Sequence, residues 1–138
     1  MSESKRICLI DDDKSFQFLT QRIINDTELV HEIEVFSNGQ EALHYLESIR
    51  SDKNKLPDII LLDLFMPVLD GWGFLNKFID LESKLAKVIP IYIVSSSIDP
   101  IDIQKSKSII PVIDFIIKPM TKEIFTQIVL SQNSNKLH

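Results

Sequence analysis

The sequence predicts an α/β fold in which a doubly wound sheet of five parallel strands is covered by five helices. Short, unbroken apolar runs alternate five times with stretches of helical periodicity, which is typical of chains built from right-handed β–α–β units. Several of these runs end directly in charged residues, and parallel sheets gather their functional groups just beyond the carboxyl ends of their strands. The sequence therefore predicts a layered core and one polar edge where a site can form.

The length and composition limit the possible classes of protein. The 138 residues suffice for one domain, which buries roughly two thirds of the surface of its unfolded chain. A net charge of -5 with scattered basic residues argues against a nucleic-acid-binding protein. No leader is visible, and no apolar stretch approaches the roughly 18 residues of a membrane span. We therefore expect a cytoplasmic protein with a folded domain at 6–131, a flexible N-terminus at 1–5 and a flexible tail at 132–138.

The five predicted strands differ in how apolar they are, and this difference predicts their order. They lie at 6–10, 32–36, 59–63, 90–94 and 112–117. The first, third and fourth are continuously apolar, as in strands buried on both faces of a sheet. The second alternates glutamate with apolar residues, and the fifth contains Asp114, so both have access to water. The order 2-1-3-4-5 is therefore predicted, because it leaves strands 2 and 5 at the edges.

Four of the five helices are predicted from apolar residues that recur every three or four positions. The fourth helix, at 100–109, has the weakest apolar stripe, but Asp99 as N-cap and Pro100 at the first helical position predict a clear start. Asn38 and Thr121 are the predicted N-caps of the second and fifth helices. The four apolar stripes comprise Phe16, Leu19, Ile23 and Ile24; Ala42, Leu43, Leu46 and Ile49; Phe74, Leu75, Phe78 and Ile79; and Ile124, Phe125, Ile128 and Val129.

The predicted strand order brings three carboxylates to one edge of the sheet. Asp11 and Asp12 follow strand 1, and Asp63 ends the neighbouring strand 3. Crowded carboxylates raise one another's pKa unless a cation lies between them, and Mg²⁺ is the natural candidate because it prefers oxygen ligands beside a phosphate. Ser95 follows strand 4 and Lys118 follows strand 5, so a hydroxyl and an ammonium suited to phosphate oxygens complete the site.

In these residues the sequence resembles the receiver domains of two-component response regulators, in particular the single-domain, chemotaxis-regulator-like type. The resemblance covers nearly the whole chain, from about residue 5 to residue 131. It implies a flavodoxin-like fold and a protein that is not an enzyme, although it takes part in its own phosphotransfer and dephosphorylation. The motifs that carry it, all in the family's order and spacing, are the acidic pair after strand 1, Asp63 with Pro67 and Asp70-Gly71 downstream, Ser95, and Lys118-Pro119.

The resemblance also implies a role for each of the three carboxylates, Asp11, Asp12 and Asp63, at what we call the acidic edge of the sheet. Asp63 would accept a phosphoryl group from a sensor histidine kinase or a histidine phosphotransfer protein. Mg²⁺ would be held by Asp12, Asp63 and the backbone carbonyl of Phe65, with Asp11 acting through water. Asp13 is a third acidic residue after strand 1, and it is either a solvated side chain or a further ligand.

Two further positions are implied to bind phosphate and to transmit the signal. Ser95 and Lys118 would bind the phosphoryl oxygens, and Ser95 with Phe115 would form the switch. Phe115 is equally interpreted as an ordinary core residue, because any strand aromatic fills space. A downstream protein would bind at helix 4, strand 5 and helix 5.

Other functions fit the sequence less well. A magnesium phosphohydrolase of this type needs a second aspartate two residues after Asp63, where Phe65 stands, and a dinucleotide or flavin carrier needs a glycine-rich phosphate loop. A phosphorylation-independent, receiver-like scaffold stays open as the alternative, although Asp63 and Lys118 are both present. The sequence also leaves open whether a stand-alone receiver acts as an output regulator or as a phosphorelay shuttle.

Overall fold

Strands and helices alternate along residues 5–136, which are the part of the chain described by the computed structural model, with side chains described to residue 133. None of the described helices combines the length and apolar character needed to cross a membrane. The elements, in chain order, are β1 (Lys5–Ile10), α1 (Lys14–Asp26), β2 (Val30–Phe36), α2 (Gly39–Ser48), β3 (Ile59–Leu62), α3 (Gly71–Glu82), β4 (Ile91–Ser95), α4 (Pro100–Ser106), β5 (Val112–Ile117) and α5 (Lys122–Lys136).

The five strands form one parallel sheet in the order β2-β1-β3-β4-β5, which confirms the predicted fold and strand order. β3 and β4 are buried along their whole length, whereas β2 and β5 are only partly buried because they form the edges. In the pairing of β1 with β3, Ile10 lies opposite Leu62. The residues that follow these two strands, Asp11 and Asp63, are therefore brought to the same edge of the sheet.

Two apolar layers enclose the sheet, one on each face. Side chains alternate between the two faces along each strand, since successive strand residues point in opposite directions. One layer packs β-strand residues such as Ile60 and Leu62 against α2 and α3, and the other packs Ile59 and Leu61 against α1 and α5. Helices on both faces make this a doubly wound α/β fold, as the sequence predicts.

The predicted helix starts are confirmed by side-chain hydrogen bonds. Asp99 accepts a hydrogen bond from the backbone N–H of Ile101 at 2.9 Å, and Asn38 and Thr121 accept equivalent bonds at the starts of α2 and α5. The predicted end of α4 at residue 109 is wrong, because the helix ends at Ser106. The hydroxyl of Ser106 donates to a backbone carbonyl three residues earlier, a local bond that competes with helix continuation.

Two residues of the predicted apolar stripes are not core residues. Leu19 is 56% exposed and Ile79 is 47% exposed, because each lies at the flank of its helix rather than on the face that meets the sheet. The buried face of α1 instead includes Gln17 and Thr20. The side-chain amide of Gln17 donates to the backbone carbonyl of Asp11, so a hydrogen bond allows a polar residue to be buried there.

The described elements also bear on the predicted domain limits. β1 begins at Lys5, which was predicted to belong to the flexible N-terminus, and α5 continues past residue 131 to Lys136. Residues 1–4 and 137–138 of the two predicted flexible segments lie outside the described residues.

Candidate functional site

The ends of the strands fix the backbone of the predicted site. The N–H of Asp63 donates to the carbonyl of Ile10 at 2.9 Å, so the ladder between β1 and β3 continues one residue beyond β3. In the same way, the N–H of Lys118 donates to the carbonyl of Ser95 at 2.8 Å, which ties the end of β5 to the end of β4. The sheet itself therefore positions the residues predicted to accept and bind phosphate.

Three carboxylates converge at this edge, as predicted. Asp11, Asp12 and Asp63 each offer an oxygen, and these oxygens lie within 4.8 Å of one another. Asp11 and Asp63 are buried, with exposed fractions of 1% and 7%, whereas Asp12 is exposed. The Oδ2 atom of Asp11 is contacted by the ammonium of Lys118 at 2.9 Å, which is its one hydrogen-bond donor among the described contacts. Three converging carboxylates beside a single ammonium suit a hard cation such as Mg²⁺, which prefers oxygen ligands.

Burial and mutual repulsion disfavour the ionised form of this cluster. Burial raises the pKa of Asp63 to about 6; the charge of Asp11 raises it too, against the opposing effects of Lys118 and of the hydrogen bond from the Leu64 N–H. Burial also raises the pKa of Asp11, although the Asp13 N–H and Lys118 oppose this shift. An added cation would therefore stabilise the site by favouring the ionised carboxylates.

Lys118 supplies the one ammonium among the described contacts of this cluster. Its Nζ lies 2.9 Å from Oδ2 of Asp11 and 3.8 Å from Oδ1 of Asp63. The same Nζ lies 4.2 Å from the centroid of the Phe16 ring. The sequence predicts Lys118 as a phosphate-binding residue but predicts Phe16 only as part of the apolar stripe of the first helix. The available signal was the position of Phe16 in the first turn of the helix that follows the acidic pair.

Asp13 shows how the start of α1 is held beside the cluster. Its carboxylate accepts a hydrogen bond from the Phe16 N–H at 3.2 Å, and its own N–H donates to Oδ1 of Asp11 at 2.9 Å. The side chain is exposed and acts as the N-cap of α1. Of the two interpretations of Asp13, the structure favours a solvated capping residue over a metal ligand.

The loop after β3 carries the predicted carbonyl ligand. Phe65 lies there with its side chain 54% exposed. The N–H of Gly71 donates to the carbonyl of Leu64 at 2.8 Å, and a Cβ at Gly71 would lie 2.4 Å from the carbonyl oxygen of Asp63. Only glycine allows this close approach, so the Gly71 of the predicted motif keeps the loop folded against the site.

Of the two predicted switch residues, Ser95 is the last residue of β4, and Phe115 lies within β5. Ser95 is completely buried, and its hydroxyl oxygen accepts a hydrogen bond from the N–H of Ser97 at 3.1 Å. Phe115 is partly buried and packs against the core layer of α2 and α3. This position is compatible with a packing residue and with a switch, so the switching role stays a prediction.

A crevice of about 900 Å³ lies at the opposite, amino-terminal edge of the sheet. Asp58 is one of its polar lining residues: one carboxylate oxygen accepts from Nζ of Lys87 at 2.9 Å and the other from the N–H of Arg6 at 2.8 Å. Both oxygens of this carboxylate therefore have hydrogen-bond donors, as expected of a structural ion pair.

Comparison with known proteins agrees with the predicted fold and the predicted family. The profile of the response regulator receiver domain matches residues 7–130, and the chain belongs to this family. A two-component response regulator from Cytophaga hutchinsonii is 27% identical; the match covers 96% of this chain and 99% of that one, with a TM-score of 0.86. The phosphorylated cyanobacterial phytochrome response regulator RcpA is 31% identical over 92% of this chain and 89% of its own, with a TM-score of 0.72.

A longer relative shares only part of its length with this chain. The protein-glutamate methylesterase/protein-glutamine glutaminase 1 of Syntrophomonas wolfei is 28% identical over 116 residues, which are 83% of this chain but 30% of that protein. The chain thus spans less than a third of that relative, and the activity in its name belongs to the longer protein. The chain itself is a receiver domain of two-component signalling, as the sequence predicts.

Proposed function

We propose that this receiver domain accepts a phosphoryl group on Asp63 from a histidine kinase or a histidine phosphotransfer protein, in the cytoplasm. The observation that supports this most directly is the position of the Lys118 ammonium, 2.9 Å from Asp11 and 3.8 Å from Asp63. A buried carboxylate beside a fixed cation offers both a nucleophile and charge for phosphoryl oxygens. Phosphoryl transfer needs chiefly this combination of positioning and charge neutralisation.

In the proposed reaction, a carboxylate oxygen of Asp63 forms a bond to phosphorus while the bond from phosphorus to the donor imidazole nitrogen breaks. The electron pair of that broken bond stays on the imidazole, and Asp63 becomes an acyl phosphate. Lys118 stabilises the negative charge on the non-bridging oxygens, and the Ser95 hydroxyl donates to one of them. The receiver acts on its own side chain only, so we do not propose an enzyme with a separate substrate.

The acidic cluster fits Mg²⁺ by its chemistry. It offers oxygen ligands within 4.8 Å of one another, and two of its three carboxylates are buried with the Lys118 ammonium beside them. We propose that Asp12, Asp63 and the carbonyl of Phe65 hold the ion, with Asp11 bound through water. When bound, Mg²⁺ would neutralise charge on the carboxylates and on the phosphoryl group.

The proposed output surface comprises α4, β5 and α5. Ile101, Ile113 and Ile117 on it are exposed, so it offers apolar side chains to a downstream protein. α4 has seven residues, and Lys105 attaches it to α3 with Nζ 4.3 Å from the centroid of the Trp72 ring. A change at Ser95 and Phe115 would alter this surface through β4 and β5, where Ile93 lies opposite Phe115.

The proposal is tested by intact-mass measurement after incubation with a small phosphodonor and Mg²⁺. The wild-type mass should rise by one phosphoryl group, and Asp63→Asn should take up none. Asp13→Asn is the matched control, because it changes a neighbouring carboxylate outside the cluster and keeps an N-cap residue. A folded wild type whose mass does not change would contradict the proposal and favour the phosphorylation-independent scaffold.

A further inference from the structure

The Phe16 ring is in direct contact with the cation of the proposed phosphoryl site. The Lys118 Nζ lies 4.2 Å from the centroid of this ring, well within the roughly 6 Å over which an aromatic face attracts a cation. Phe16 itself is held in place, because its N–H donates to the Asp13 carboxylate and its side chain packs against the core layer of α1 and α5. A fixed ring therefore meets the end of a flexible side chain.

The other contacts of Lys118 explain why such a ring is useful. The ammonium is 2.9 Å from Asp11 but 3.8 Å from Asp63, so its closest partner is not the proposed phosphoacceptor. A lysine side chain has a flexible stem of four carbons and many rotamers. The contact with the Phe16 ring is the third contact of this ammonium. It restricts the rotamers of Lys118 and keeps the ammonium between the two carboxylates.

An aromatic face suits this task better than a further carboxylate. It attracts the cation through the quadrupole of the ring and does not take up an N–H donor in a strong hydrogen bond. The ammonium thus keeps donors available for oxygens that arrive on Asp63. A leucine would fill similar space but would offer no electrostatic attraction to Lys118.

We propose that Phe16 is a positioning residue of the phosphoryl site: its ring holds the Lys118 ammonium where the oxygens of a phosphoryl group on Asp63 arrive. This inference rests on the proposed phosphotransfer function. Phe16 acts through Lys118 and touches neither the acidic cluster's metal ligands nor the reacting oxygen in the contacts described. Loss of the ring should therefore weaken steps that involve phosphoryl oxygens and leave cation binding by the carboxylates unchanged.

The test compares Phe16→Leu with Phe16→Trp, which restores the aromatic face in its strongest form. The rate of phosphorylation by a small phosphodonor at saturating Mg²⁺ should fall about three- to tenfold in Phe16→Leu, as expected for loss of a partly buried cation–π contact. It should stay within about twofold of wild type in Phe16→Trp. Mg²⁺ affinity, measured by titration without a phosphodonor, should be equal in all three proteins.

Other results of these measurements would overturn either the inference or the proposed function. An unchanged rate in Phe16→Leu overturns the inference, and so does an equal loss in both variants or a parallel loss of Mg²⁺ affinity, since these indicate a packing role. A separate measurement follows the NMR shifts of the Lys118 Cε protons, which the ring should displace in wild type and Phe16→Trp but not in Phe16→Leu. If that displacement is found while wild type takes up no phosphoryl group, the contact exists but the proposed function fails.

Discussion

The amino and carboxyl ends of the parallel strands form two edges of the sheet that differ in how their carboxylates are neutralised. At the amino-terminal edge, Asp58 is matched by Lys87 and by the N–H of Arg6. At the carboxyl edge, three carboxylates converge, one ammonium contacts two of them, and the pKa of Asp63 is raised to about 6. Both edges are built from the ends of the same parallel strands, so the difference lies in the side chains and not in the backbone.

The two ends of the sheet differ in whether the protein itself satisfies its carboxylates. A buried charge is tolerated when partners satisfy it and is destabilising when they do not. Asp58 at the amino edge meets that condition, whereas the carboxylates of the carboxyl edge are stabilised further by a proton or an added cation. We propose phosphotransfer at the carboxyl edge, where the carboxylates outnumber the ammonium that contacts them. Functional sites commonly lower the stability of a protein in this way.

The largest expected effect comes from breaking the balanced edge with Asp58→Ala. This substitution leaves Lys87 and the Arg6 N–H without their carboxylate, so the free energy of unfolding should fall by about 2–4 kcal/mol. Denaturant unfolding measures this change, and Lys87→Met, which removes only one of the partners, should lose less. A loss below about 0.5 kcal/mol would mean that the amino edge is not a stabilising region.

At the acidic edge we expect a gain in the free energy of unfolding, because Asp63→Asn removes an unfavourable charge. The raised pKa, about 6 against an ordinary value of 3.8, predicts that the variant is more stable than wild type by about 1–3 kcal/mol at pH 7.5 without Mg²⁺. Added Mg²⁺ should reduce this difference by stabilising wild type only. Denaturant unfolding in chelator and in Mg²⁺ measures both, and a less stable variant in chelator would contradict the argument.

The stability difference between Asp63→Asn and wild type should also depend on pH. Unfolded Asp63 loses its proton near pH 3.8, whereas folded Asp63 keeps it up to about pH 6, so the folded state binds more protons between these values. Stability contributed by this group is therefore lost as the pH rises through that window. The advantage of Asp63→Asn should be small at pH 4 and complete above pH 7, as measured by thermal unfolding without Mg²⁺. An advantage that is independent of pH would exclude Asp63 ionisation as its cause.

The smallest expected effect concerns backbone strain in the loop at the carboxyl edge. Val68 has a φ of 70° and is 82% exposed, and a β-branched residue is strained in this left-handed region. Val68→Asn should raise the free energy of unfolding by about 1 kcal/mol. Glu28→Asn is the control at the opposite edge: its φ is 59°, but its side chain is unbranched at Cβ, so the gain should be smaller. Equal gains would show that β-branching adds no strain here.

Sequence reasoning succeeded where a local pattern carried the information. The apolar runs identified all five strands, and the half-polar second strand predicted the strand order. It failed at Leu19 and Ile79, because a helical stripe does not tell which of its flanks faces the sheet. Gln17 was missed for a related reason: it is buried by a hydrogen bond to the carbonyl of Asp11, which no hydrophobic pattern reveals.

The fold class, the strand order and the residues gathered at the acidic edge could all be predicted from the sequence, because apolar periodicity and the polar residues that end each strand are local features. How these residues interact could be read only from the folded protein. The contact between Lys118 and Phe16, the burial that raises the pKa of Asp63 and the matched charges around Asp58 join residues that are distant along the chain. Their energies depend on distance and on exclusion of water, and both arise when the strands and helices pack.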